Sequence, residues 1–243
     1  MNRLKDKVAI ITGGAAGMGE SHVRLFVEEG AKVVFTDINA EAGQKIAEEL
    51  GENTHFVQHD VVNEEGWEKV VTETEEKFGP VDVLVNNAGV STVLSVENSS
   101  LEDYMKIVNI NQVSVFLGTK YVIPSMKKAG KGSIVNISSI NGLSGGAVGY
   151  TDTKFAVRGM TKAAARELAQ YNIRVNSVHP GVINTPMVQN SEAFDQIQAM
   201  VGMIPMKRMA EPSEISQLVL FLASDDSSYS TGSEFISDGG ITS

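Results

Sequence analysis

The chain has 243 residues, 42% of them hydrophobic, and 30 acidic against 20 basic side chains give it a formal charge of −10. That length accommodates one large α/β domain or two small ones, and the apolar share is enough for a sizeable core. The acidic balance argues against nucleic acid and anionic membranes as partners, since both recruit basic surfaces, and the lack of any cysteine rules out disulfides, thiolate metal sites and cysteine nucleophiles.

No stretch approaches the ~20 uncharged apolar residues of a membrane span. The N-terminal residues carry no apolar run of the secretory kind, so a cytoplasmic location is expected. Short β-branched runs then alternate with longer amphipathic segments. Strands are expected at Lys7–Thr12, Ala31–Thr36, Thr54–Gln58, Val81–Asn86, Gly132–Ser138, Ile173–Val178 and Glu234–Ile236. Helices are expected from Gly17 to Gly30, Ala40 to Gly51, Asn63 to Phe78, Leu101 to Ala129 with a kink at Pro124, Tyr150 to Tyr171, and Pro212 to Ala223. Asn184–Met209 reads as irregular or loosely helical. Val83, Leu84 and Val85 are consecutive apolar residues, the pattern of a strand covered on both faces. With no linker, charge block or repeat, residues 1–243 read as one α/β domain. Its core is a doubly wound parallel sheet of about seven strands, with ligands at the carboxyl ends of those strands.

After the first strand comes a glycine turn, Gly13-x-x-x-Gly17-x-Gly19, placed where a backbone can approach a pyrophosphate at a helix N-terminus. The second strand ends at Asp37, where a carboxylate can accept from both hydroxyls of an adenosine ribose and repel a 2′-phosphate. Ala15, Ala16 and Met18 put no cation in the turn, and Ile38 and Asn39 put none after Asp37. The expected cofactor is therefore NAD rather than NADP. Further on, Tyr150 and Lys154 are one helical turn apart on one face, an ammonium near a phenol, the arrangement of an acid/base group working near neutral pH. The four histidines (His22, His55, His59 and His179) have no metal-ligand spacing, so no metal is expected. His22 reads as an ordinary helix residue, and His179 as one that satisfies backbone groups at a strand end.

Taken in order, these features resemble the short-chain dehydrogenase/reductase family over essentially the whole length. The glycine turn has the family spacing; Asp60-Val61, Asn86-Asn87-Ala88-Gly89, and Pro180-Gly181 with Ile183 and Thr185 match its further motifs; Asn111, Ser139, Tyr150 and Lys154 match its catalytic tetrad. The resemblance implies a Rossmann fold, with a cofactor site made of Gly13, Gly17, Met18, Gly19, Asp37, Ile38, Asp60, Val61, Asn87, Ala88, Gly89, Tyr150, Lys154, Pro180, Gly181, Ile183 and Thr185. It implies hydride transfer between a carbinol carbon and the nicotinamide. Tyr150 would be the acid/base, Lys154 would lower its pKa and hold the ribose, Ser139 would bind the substrate oxygen, and Asn111 would kink its helix and hold a water. It also implies a homotetramer.

Met187, Met200, Met203, Met206 and Met209, with an apolar wall at Val90–Val96, suggest a small hydrophobic ketone or secondary alcohol as substrate. The stretches around the tetrad look closest to bacterial secondary-alcohol and hydroxysteroid dehydrogenases. Lys207 and Arg208 keep 3-oxoacyl-carrier-protein reduction as an alternative within the family, and a catalytically idle dinucleotide-binding regulator is the alternative outside it. Gly142-x-Ser144-x-Gly146 with Asp152 and His179 also satisfies a hydrolase pattern. Two departures stand out. Ser139 is eleven residues before Tyr150 (150 − 139 = 11), a turn shorter than in the relatives it resembles, which keeps Ser138 in view as the alternative serine. Asp152 and Thr153 also fill positions that usually hold small residues or serine.

Overall fold

Consecutive apolar residues leave a strand no face for water, and Val8–Thr12, Val83–Asn86 and Gly132–Ile137 are accordingly buried at every position. A computed structural model describes residues 2–191 and 193–243. Met1, and Glu192 inside the Asn184–Met209 stretch, lie outside the described residues. The strands are β1 (Val8–Thr12), β2 (Lys32–Asp37), β3 (Thr54–Gln58), β4 (Val83–Asn86), β5 (Gly132–Ile137), β6 (Ile173–Pro180) and β7 (Glu234–Ser237). They form one parallel sheet in the order β3-β2-β1-β4-β5-β6-β7. The chain winds outward from β1 in one direction and from β4 in the other, so the crevice between those two strands is the switch point where such sheets bind ligands.

Successive residues of each strand feed opposite cores. Ile11, Val33, Phe35 and Val85 pack with Phe26 of α1 (Gly17–Glu28), Ile46 of α2 (Ala40–Leu50), and Ile215 and Val219 of α9 (Pro212–Ala223). Ile10, Val34, Leu84 and Ile134 pack on the other face with Trp67 and Val70 of α3 (Glu64–Phe78), Leu117 and Met126 of α5 (Ser114–Ala129), and Leu168 of α6 (Tyr150–Leu168). Some of the polar residues in this interior pair across the sheet. Asn86 and Asn136 face each other in register, with Asn86 Nδ2 donating to Asn136 Oδ1 at 2.9 Å. Asn136 Nδ2 then donates to Thr161 Oγ1 at 2.9 Å, locking α6 to the sheet.

Several expected boundaries move, and the following bear on the site. β2 includes Asp37, and β6 runs on to Pro180, which draws His179 into the sheet opposite Ile236. The single helix expected over Leu101–Ala129 is three segments: α4 (Leu101–Val108), a π-helical turn at Asn109–Val113, and α5, which continues through Pro124. The irregularity thus falls at Asn111 rather than at the proline. The reason is that the Asn111 side chain is fully buried and bonded to the main chain of Val90 instead of facing outward. Within Asn184–Met209 the chain makes two short helices, α7 (Pro186–Gln189) and α8 (Phe194–Val201), and α8 buries none of its residues.

Candidate active site

The glycine turn is shaped by its own packing. Gly13 and Gly17 have φ of 64° and 57°, the left-handed region where a side chain is strained. A Cβ on Gly13 would stand 2.9 Å from Ala88 Cα, and one on Gly19 would collide with the Gly13 carbonyl. Asn87 ties the turn to the end of β4: its Nδ2 donates to the carbonyls of Thr12 (2.9 Å) and Gly13 (3.1 Å). Thr12 Oγ1 accepts in return from the backbone N–H groups of Asn87 and Ala88, both at 3.0 Å. Helix α1, entered from Ala16, has no side-chain cap, so the first N–H groups of the helix are open to an anion. Asp37 accepts from Ala15 N at 3.1 Å and Asn39 N at 3.0 Å, which fixes the carboxylate at the rim of the turn.

These residues surround a cleft of about 210 Å³ lined by Gly13, Gly17, Met18, Gly19, Asp37, Asn87, Ala88, Gly89 and Thr185, with Pro186 and Met187 opposite. It fits a dinucleotide on two counts. The cradle is made of backbone that no side chain crowds, and Asn87 Oδ1 is buried without a hydrogen-bond partner, a group that a ligand would satisfy. The other expected cofactor residues do not line this cleft. Ile38 is 69% exposed beside Asp37, and Asp60 is exposed, with its Oδ1 accepting from Val62 N at 3.2 Å. Val61 is buried and its carbonyl accepts from Trp67 Nε1 at 3.0 Å. Gly181 and Ile183 line a separate cavity of about 70 Å³ with Ile204 and Met206, while Pro180 is the last residue of β6.

The four tetrad positions converge on the end of the sheet beside this cleft. Tyr150 is the first residue of α6, which is entered from Gly149 without a side-chain cap. Burial pushes the Tyr150 hydroxyl above its ordinary pKa, opposed by its hydrogen bond with the Ser139 hydroxyl. Lys154 is 4% exposed; its Nζ donates to the Ile137 carbonyl at 2.9 Å and stands 5.5 Å from the centre of the Tyr150 ring. Burial pushes this ammonium down to about 8. The two serines separate cleanly. Ser138 Oγ turns away and donates to the Lys154 carbonyl at 3.0 Å, whereas Ser139 Oγ accepts from Asn141 N at 3.1 Å and meets Tyr150. Asn111 grips Val90 with both ends of its carboxamide, accepting from Val90 N at 2.8 Å and donating to Val90 O at 2.9 Å.

The two unusual residues of α6 have partners of their own. Thr153 Oγ1 donates to the Tyr150 carbonyl at 2.8 Å and accepts from Asn111 Nδ2 at 3.4 Å, linking two members of the tetrad. Asp152 Oδ2 accepts the Tyr104 hydroxyl at 2.7 Å, a bond that raises the Tyr104 pKa and clasps α4 to the start of α6. The shortened turn before α6 is met by the opposite wall, where Leu94 forms an isolated antiparallel bridge with Val148. Beyond it, a mouth of about 420 Å³ is bordered by Val90, Ser91, Thr92, Val93, Met187, Asn190 and Ser191. That wall is therefore mixed rather than purely apolar. Of the methionines, Met187 borders both the cleft and the mouth, while Met200 and Met203 stand exposed on the surface.

The hydrolase pattern dissolves in three dimensions. Ser144 is exposed and donates to the Ile140 carbonyl, Asp152 is held by Tyr104, and His179 is buried against Ser177 and Ser139. Residues the sequence reading passed over are Thr12, which gathers the Asn87 and Ala88 amides, and Thr153. The only signal for Thr153 was its departure from the expected small residue.

A family model described as enoyl-(acyl carrier protein) reductase matches residues 13–242. A 3-alpha-(or 20-beta)-hydroxysteroid dehydrogenase of Mycobacterium tuberculosis is 49% identical over 240 residues, covering 98% of this chain and 90% of the relative. A cyclopentanol dehydrogenase of Comamonas testosteroni is 48% identical over 248 residues, covering 100% and 99%. An NADP-dependent (R)-specific alcohol dehydrogenase of Lentilactobacillus kefiri is 45% identical over 248 residues, covering 99% and 98%.

Proposed function

Since the chain belongs to the short-chain dehydrogenase/reductase family, oxidoreductases of alcohols and ketones, we propose that it interconverts a hydrophobic secondary alcohol and its ketone with NAD(H). Residues 1–243 act as one dinucleotide-binding domain in this reading. The observation that carries it is the meeting of Ser139, Tyr150 and Lys154 at the end of the sheet beside the glycine cleft.

The glycine turn and the open N-terminus of α1 would hold the pyrophosphate, Asn87 the nicotinamide-ribose side, and Asp37 and Ile38 the adenosine end, with Asp60 and Val61 beyond them. Pro180, Gly181, Ile183 and Thr185 would bound the nicotinamide. When bound, the nicotinamide accepts or gives the hydride. Tyr150 moves the proton at its hydroxyl oxygen. The Ser139 hydroxyl holds the substrate oxygen and stabilises charge developing there. The Lys154 ammonium, one helical turn along α6 and 5.5 Å from the ring centre, would favour the phenolate. Asn111, its carboxamide engaged on Val90, shapes the wall of the site and would hold a water there.

NAD rather than NADP is supported by Asp37, a carboxylate held at the rim by two backbone donors with no cation in the turn. The alternative substrate, a 3-oxoacyl-carrier protein, would use Lys207 and Arg208. Both are engaged at home: Arg208 makes a two-pronged ion pair with Glu214 at 2.6 and 2.7 Å, and Lys207 Nζ donates to Gly202 O at 2.6 Å. A homotetramer in the cytoplasm belongs to the same proposal, supported by the exposed Phe116 and Phe155 on α5 and α6 and Ile236 on β7. Among the described residues no helix is long and apolar enough to cross a membrane. The deciding experiment is a screen of NADH and NADPH oxidation over cyclic, aliphatic, aryl and steroid ketones. Turnover with NADH on neutral cyclic ketones is expected. Turnover confined to NADPH and acyl-carrier substrates would favour the alternative, and firm NAD(H) binding with no turnover at all would leave a regulator.

A further inference from the structure

His179 is the penultimate residue of β6, fully buried, and its ring spans two hydrogen bonds: Nδ1 to the Ser139 carbonyl at 3.0 Å and Nε2 to Ser177 Oγ at 2.9 Å. A carbonyl oxygen can only accept, so Nδ1 must carry the proton, and a neutral ring must then accept the Ser177 hydroxyl proton at Nε2. Burial favours the neutral ring by pushing its pKa below the ordinary value. The strand beneath adds a second hold on the same corner, since Ser138 N donates to Val178 O at 2.8 Å. Past Ser139 the chain leaves the sheet into the short turn at Ile140–Gly142. Its carbonyl is therefore at the point where β5 no longer fixes the backbone.

We infer that His179 is a positioning residue, which sets the Ser139 hydroxyl toward Tyr150 by holding the Ser139 carbonyl through Nδ1–H. The inference rests on the proposed role of Ser139. Losing this bond frees the Ser139 peptide to rotate, and a displacement of about 1 Å at a group that orients the substrate is enough for as much as a hundredfold loss. An asparagine amide nitrogen reaches the position of Nδ1, whereas a glutamine amide nitrogen reaches that of Nε2.

The experiment compares His179→Asn and His179→Gln in the presence and absence of Ser139→Ala, using NADH and cyclopentanone as probe. Tryptophan fluorescence reports NADH binding separately. The expected result is a drop of about tenfold in kcat for His179→Gln, little of it for His179→Asn, unchanged NADH affinity in both, and no further loss when His179→Gln is added to Ser139→Ala. Equal activity of the Asn and Gln variants, or the same fold-loss in both backgrounds, overturns the inference. If Ser139→Ala itself loses nothing, the proposed role of Ser139 fails instead. A measurement on the unaltered protein stands apart from folding and from the choice of probe. Nitrogen-15 NMR of the four histidines should show His179 neutral with Nδ1 protonated, and a proton on Nε2 with Nδ1 bare overturns the inference outright.

Discussion

Replacing Lys154 by methionine should make the protein more stable while removing its activity. The ammonium is 4% exposed, and burial brings its pKa from 10.5 down to about 8. At neutral pH that difference corresponds to about 3 kcal/mol against the folded state. Methionine is similar in shape and carries no charge, but it leaves the Ile137 carbonyl without the 2.9 Å bond from Nζ; that loss is about 1 kcal/mol. The variant should therefore gain about 2 kcal/mol, or about 4–8 °C in Tm for a chain of this size. The pH dependence gives the sharper test. Because the folded pKa lies below the unfolded one, the penalty is fully present below pH 8 and is relieved as the pH climbs toward 10.5. Urea unfolding of both proteins at equal protomer concentration, at pH 7 and pH 9.5, should show the variant's advantage shrinking by about 2 kcal/mol at the higher pH. Titrating groups remote from Lys154 are common to both chains and cancel, and making the comparison in a Tyr150→Phe background removes the neighbouring phenol. A variant that is less stable at pH 7, or an advantage that does not change with pH, would refute the assignment of the penalty to a buried charge.

Tyr150→Phe keeps the ring and removes the hydroxyl that meets Ser139; kcat should fall by about 10²–10⁴ with NADH affinity within twofold, checked by steady-state kinetics and fluorescence titration. Asp37→Ala removes the acceptor held by Ala15 N and Asn39 N; the Kd for NAD should rise by about tenfold or more and the preference over NADPH should narrow, measured by calorimetry with both cofactors. Gly19→Ala drives a methyl into the Gly13 carbonyl; dinucleotide binding should be lost and stability reduced by about 1–3 kcal/mol, read from a thermal melt with and without NAD.

Much of the architecture could be read from residue order because the inner parallel strands β1, β4 and β5 are covered on both faces. Such strands appear as consecutive apolar runs such as Val83-Leu84-Val85, and the glycine turn follows the first of them. What could not be read is what depends on contacts across the chain. Local signals alone put a kink at Pro124, since proline is the usual cause, and only the family resemblance pointed to Asn111. The observed π turn arises from Asn111 reaching back to Val90, a contact between residues 21 positions apart. The two adjacent serines were likewise indistinguishable by spacing, because the turn before Tyr150 is shorter than expected. Only the direction of Ser138 Oγ, toward the Lys154 carbonyl, tells them apart. The apolar wall expected at Val90–Val96 is mixed because Ser91 and Thr92 stand between Val90 and Val93 and border the same mouth.

The π turn also bears on how the chain can change in length. A turn of this kind holds one residue more than an α-helical turn, so deleting any one of Asn109–Val113 would let α4 and α5 fuse into a single regular helix. Because the extra residue is taken up within one wide turn, fusion would leave α4 and α5 in nearly the same rotational phase. Ile107 would keep its place in the interior and Tyr104 its reach to Asp152, while the wide turn from which Asn111 grips Val90 would be gone. The extra residue is thus a local device: a single-residue gap would erase the turn that Asn111 occupies and leave the rest of the helix in register.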